Sequence, residues 1–111
     1  MKFSEIRTIL GRYKVGIAGA GGLGSNCAAA LARCGVGELV VADFDIVEEM
    51  NLNRQFYFQK QVGRFKVDAL EENISLIGGS TKFRGERVRL DSENIPSVFS
   101  GCDIIVEAFD T

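Results

Sequence analysis

Gly19-Ala20-Gly21-Gly22-Leu23-Gly24 sets glycines at the spacing GxGxxG, between an apolar run at residues 14–19 and an alanine-rich segment at 23–34. Such a turn serves an anion. Gly19 permits the tight turn, Gly21 lets the backbone approach a phosphate, and Gly24 allows helix and strand to pack closely. Gly22 and Ser25 complete the loop, whose unpaired N–H groups and following helix N-terminus face negative charge. Asp43 stands about 20 residues beyond the last glycine, at the end of a second apolar run, where a carboxylate can accept from a ribose. A turn aspartate ending a strand would look the same. Loop and carboxylate together suit NAD and ATP equally.

The residues beyond Asp43 ask for a different chemistry. The stretch Asn51-Leu52-Asn53-Arg54-Gln55 and then Lys66 bring a planar guanidinium and a point charge to a segment that is otherwise only mildly basic. If they meet phosphate oxygens they form an electrostatic catalyst; if not, they are solvated surface. Asp110 closes the last apolar run, and its carboxylate would overlook the glycine loop. A carboxylate facing a phosphate repels it unless a cation intervenes, and Mg2+ resolves that repulsion through one or two carboxylates and phosphate oxygens. The chain has no histidine, so no Ser-His or Cys-His nucleophile can be assembled within it. Charge and positioning must carry any catalysis.

The elements that hold these residues read as strand 14–19, helix 23–34, strand 38–43, helix from Val67 to Ile77 ending before Gly78-Gly79, strand 81–88, helix 91–99 capped by Asp91 or Ser92, and strand 102–109. The second helix is set by Val67, Leu70, Ile74 and Ile77 at spacings of three and four. Alternation of strand and helix implies an α/β, Rossmann-like parallel sheet, and the glycine fingerprint on the first strand suggests order 3-2-1-4. Ligands of such sheets lie beyond the carboxyl ends of the strands. The last residue, Thr111, therefore falls at the rim of the expected site, and residues 1–111 read as one nucleotide-binding domain, incomplete at its C-terminal side.

Thirteen basic and 15 acidic residues leave a formal charge of -2, with no basic field for a nucleic acid. No apolar run approaches the roughly 18 residues of a membrane span, and Arg12 and Lys14 break any signal-peptide pattern, so no membrane contact and a cytoplasmic setting are expected. Cys27, Cys34 and Cys102 form no CxxC pair and read as small hydrophobes, Cys27 and Cys34 on one helix face.

The motifs GAGGLGS, ADFDIVEEMNLNRQ, VGRFKVDAL and DIIVEAFD, in this order and spacing, resemble the adenylation domain of the ThiF/MoeB family, relatives of the ubiquitin-activating enzymes. The run from Val15 onward is most similar to ThiF-type sulfur carrier protein adenylyltransferases of bacterial thiamine synthesis. The resemblance implies ATP-Mg2+ and a ubiquitin-like sulfur carrier protein ending in Gly-Gly, whose C-terminal carboxylate attacks the α-phosphate to give an acyl-adenylate and pyrophosphate. It assigns phosphate to the loop from Gly19 to Ser25, ribose to Asp43, triphosphate to Asn51, Arg54 and Lys66 with Gln55 in support, and magnesium to Asp110. Arg54, Lys66 and Asp110 would be the catalytic group. Family members dimerise and lend an arginine from an N-terminal helix, which looks shortened here; neither Arg7 nor Arg12 can be matched to it. An NAD-binding half-domain of a dehydrogenase and a non-catalytic carrier-binding module remain open alternatives.

Overall fold

A computed structural model describes residues 1–109. Four five- or four-residue strands, β1 (Lys14–Ala18), β2 (Glu38–Ala42), β3 (Lys82–Glu86) and β4 (Ile104–Glu107), form one parallel sheet in the expected order 3-2-1-4. Gly16 at the centre of β1 pairs with Val40 of β2 and Ile105 of β4. All the carboxyl ends, and the loops that follow them, gather at one edge.

Alternation along β1 and β2 decides the layers. Val15, Ile17, Leu39 and Val41 point to one face, where helices α2 (Gly22–Cys34) and α3 (Lys66–Ile77) bury them with Ala28, Ala32, Leu70 and Ile74. Val40, Ala18 and Ala42 point to the other, against Phe99, Val88 and Leu90. A Cβ on Gly16 would come within 2.5 Å of the Phe99 ring, so the glycine makes room for the aromatic that fills this thinner layer. On the β4 edge Ile104 and Ile105 are both exposed.

Three expectations change. A helix outside the expected element order, α1 (Phe3–Leu10), precedes β1, where the family resemblance implied a shortened one; it buries no residue of its own and is anchored by Arg7, which donates to Arg33 O at 2.8 Å. The helix expected at 91–99 shrinks to α4 (Ile95–Val98). Asp91 does not cap it: its Oδ1 accepts from the Glu93 and Asn94 N–H groups at 2.8 Å each, closing a turn that delays the helix. Strands 38–43, 81–88 and 102–109 are shorter than expected: Asp43, Val88, Ala108 and Phe109 leave the sheet to line the site, and Thr81, Cys102 and Asp103 precede the first paired residues.

Candidate functional site

The glycine loop is held by backbone crowding. Gly19 has φ +111°, and a Cβ there would lie 2.7 Å from Ala108 O. Gly24 is tighter: its Cβ would lie 1.8 Å from Gly19 O, so the first turn of α2 can rest on the end of β1 only without a side chain. Gly22 opens α2, and the Arg54 side chain passes over it, with Nε 3.8 Å from where a Cβ would stand.

Asp43 follows β2 and reaches back to this loop. Its Oδ2 accepts from Ala20 N–H and its Oδ1 from Asp45 N–H, both at 2.7 Å. Tyr57, buried, donates its hydroxyl to Ala20 O at 2.6 Å. Burial, and then the Asp43 charge, push the Tyr57 pKa far up, so the hydroxyl stays a donor. Ala20 is thus gripped at both N–H and C=O.

Beside the loop a cleft of about 280 Å3 is lined by Gly19, Gly21, Asp43 and Lys66, four of the expected residues, and by Phe44, Asp45, Val88, Arg89 and Leu90 among others. Lys66 opens α3, with its N–H donating to Asp45 O at 2.9 Å. It is only 7% exposed, yet among the described residues no carboxylate pairs with its ammonium. With Asp43 and Asp45 in the same cleft but no salt bridge formed, this charge is free to meet an anion that enters there.

The other expected residues lie around the cleft rather than in its wall. Arg54 is exposed on a strap that runs from Asn51 past Tyr57, and Asn26 fastens it, donating to both Arg54 O (2.8 Å) and Gly22 O (2.7 Å). Asn51 shapes the strap: its Oδ1 accepts from Glu48 N–H, and its carbonyl accepts from Arg54 and Gln55 N–H. Gln55 is buried, and its Oε1 has no partner among the described residues. Ser25 departs from expectation. It is fully buried, and its hydroxyl accepts from Phe56 N–H at 3.0 Å, so it faces the strap and not a phosphate. Asp110 lies outside the described residues.

The cleft wall was incompletely read from the sequence. Phe44 stands half-exposed with the Arg89 guanidinium 5.9 Å from its ring centre, and Phe65 packs behind it at 6.0 Å. Val88, Arg89 and Leu90 follow β3, so the rule that ligands sit beyond strand carboxyl ends pointed to them. Arg7 is committed to the C-terminal end of α2, at the sheet edge opposite the glycine loop, and so does not serve the cleft of its own chain. Cys27 packs on the main core and Cys102 on the smaller one, each partly buried, and that burial raises both thiol pKa values. No helix among the described residues is long and apolar enough to cross a membrane.

A family model described as ThiF matches residues 4–111. The chain belongs to the ThiF family. The adenylyltransferase and sulfurtransferase uba4 of Aspergillus niger is 40% identical over 98 residues, which cover 87% of this chain and 20% of that protein. The SAMP-activating enzyme E1 of Haloferax volcanii is 37% identical over 98 residues, 87% of this chain and 36% of its own length. Among solved structures, E. coli tRNA N6-threonylcarbamoyladenosine dehydratase in complex with ATP is similar with a TM-score of 0.90 and 27% identity, over 96% of this chain and 45% of that one. This ThiF-family chain thus spans less than half the length of each of these relatives.

Proposed function

We propose that these residues form the ATP-binding part of an adenylyltransferase that activates the C-terminal glycine carboxylate of a ubiquitin-like sulfur carrier protein ending in Gly-Gly, in thiamine or related sulfur-transfer biosynthesis. The observation that carries this reading is Lys66: a side chain only 7% exposed, with no salt bridge among the described residues, in the wall of a cleft that ends at the glycine loop. A nicotinamide site has no need of that charge, whereas a triphosphate does. The names of the Aspergillus and Haloferax relatives support the reaction class.

In this reading the N–H groups of the loop from Gly19 to Gly24 take phosphate oxygens, and Asp43, already oriented by two backbone donors, accepts from the ribose. Phe44 and Leu90 offer apolar wall for the base. Arg54 and Lys66 offset charge on the triphosphate as the carrier's carboxylate oxygen bonds to the α-phosphorus and the bond to pyrophosphate breaks. Asn51 and Gln55 hold the strap that carries Arg54. Magnesium, assigned to Asp110, would neutralise phosphate charge when bound. A homodimer in the cytoplasm belongs to the same proposal.

The test begins with ligand choice. ATP with Mg2+ at about 100 times its Kd should stabilise the protein by about 2.7 kcal/mol, and NAD at the same concentration by much less. In carrier-dependent ATP-pyrophosphate exchange, Arg54→Ala and Lys66→Ala should each lose about a hundredfold. Equal stabilisation by NAD would favour a dehydrogenase half-domain, and ATP binding without exchange a carrier-binding module.

A further inference from the structure

The two cations of the site sit on different elements, Arg54 on the strap after β2 and Lys66 at the start of α3. The backbone of a single residue joins them. Phe56, two residues beyond Arg54, donates its N–H to the Ser25 hydroxyl of α2 at 3.0 Å, while its C=O accepts from Asn73 Nδ2 of α3 at 2.8 Å. Ser25 is one residue past Gly24, and Asn73 lies two turns along α3 from Lys66. The backbone of Phe56 is therefore riveted between the helix that opens at the phosphate loop and the helix that opens at Lys66.

Both rivets are buried, and the Asn73 amide is fixed in orientation. Ser25 is fully buried and Asn73 is 1% exposed. The Asn73 amide is fixed by Gln61, itself fully buried: Gln61 Nε2 donates to Asn73 Oδ1 at 2.7 Å, and Asn73 Nδ2 returns a bond to Gln61 Oε1 at 3.1 Å. Gln61 Oε1 also takes Phe58 N–H at 3.0 Å, and Gln61 Nε2 reaches Glu72 Oε1 at 2.7 Å. Each amide proton of Asn73 thus has a named acceptor, which leaves one rotamer that satisfies the group. A hydrophobic core could join strap and helix as firmly, but without directional bonds it would not set the height of Phe56 between them.

We propose that Ser25 and Asn73, the latter oriented by Gln61, are positioning residues that set the spacing between Arg54 and Lys66 and hence the preference of the site for a triphosphate over a monophosphate. The proposal rests on the assignment of those two cations to the triphosphate. Neither Ser25 nor Asn73 touches the nucleotide. They act through the cations, so a change in either should weaken the ligand that needs both cations and spare the one that does not.

The experiment measures Kd for ATP and for AMP by titration calorimetry in the protein at its native length. Arg54→Ala and Lys66→Ala come first: if both leave the ATP/AMP preference unchanged, the assignment of the cations fails, and with it the foundation of the proposal. If they lower it, Ser25→Ala and Asn73→Leu should each lower ATP affinity about tenfold, the scale of coupling between neighbouring groups, with AMP affinity changed less than about twofold. In the Arg54→Ala, Lys66→Ala background Ser25→Ala should have no further effect on the preference. A folded Ser25→Ala or Asn73→Leu protein with an unchanged preference, or with ATP and AMP weakened alike, overturns the positioning role while leaving the site assignment standing. Wild-type protein decides the matter should the variants not fold. Hydrogen exchange at the Phe56 amide should slow with ATP well beyond its slowing with AMP, and equal protection by the two ligands overturns the proposal.

Discussion

Gly24→Ala tests whether the phosphate loop depends on backbone contact. The new Cβ would stand 1.8 Å from Gly19 O and 2.7 Å from Gly19 C, and reaching even the closest tolerated separation needs about 1.2 Å of movement. The loop cannot supply it. Gly19 N–H is bonded to Ala42 O at 2.9 Å, and Ala20 is gripped by Asp43 and Tyr57. The first turn of α2 must therefore lift. Overpacking of this kind costs about 3 kcal/mol where backbone obstructs, less about 1 kcal/mol because alanine favours a helix over glycine. A net loss near 2 kcal/mol lowers Tm by roughly 8 °C for a domain of this size, and displacement of the loop by about 1 Å should weaken ATP by up to a hundredfold. Gly22→Ala is the control, since its Cβ would meet only the Arg54 side chain at 3.8–3.9 Å; its stability should be unchanged or up to about 1 kcal/mol higher. Thermal denaturation and ATP titration of both variants decide. A Gly24→Ala protein as stable as Gly22→Ala, with wild-type affinity for ATP, would refute the crowding argument.

Tyr57→Phe removes the donor to the buried Ala20 carbonyl and should cost about 1–3 kcal/mol in urea unfolding; a loss below a few tenths would mean that Ala20 finds another donor. Glu72 has its carboxyl held below the ordinary value, chiefly by the Gln61 amide and then by Arg64. A depressed carboxyl stabilises the native state above its unfolded pKa and loses that contribution as pH falls through the folded value. Glu72→Gln should therefore flatten the acid limb of Tm against pH below about 4.5, and an unaltered limb would show that the group contributes nothing there.

Much of the architecture was legible because its signals are local. Short continuous apolar runs at 14–19 and 38–43, the three- and four-residue spacing from Val67 to Ile77, and the glycine fingerprint each act within a few residues, and together they implied a parallel sheet of order 3-2-1-4. Where two local signals competed, the reading slipped: at Asp91 the side chain closes a turn before the helix can begin. The signal for α1 is also local, since Phe3, Ile6 and Leu10 recur at spacings of three and four, although none of them is fully buried.

The site divides along the same line. Gly19, Gly24 and Asp43 could be named from their types and spacing, because a tight turn, a close helix-strand contact and a strand-end carboxylate each follow from residue identity. The sequence by itself also carried the charges of Arg54 and Lys66. Only the tertiary structure decided that Lys66 is buried without a salt bridge among the described residues, that Ser25 turns to Phe56, and that Phe44, Arg89 and Leu90 share one cleft. Chemistry and period are properties of a residue and its near neighbours, whereas hydrogen-bond partners and desolvation belong to whatever the fold brings alongside. Ser25 shows the difference: its place in the loop is a matter of sequence, but its hydroxyl answers to an amide 31 residues away.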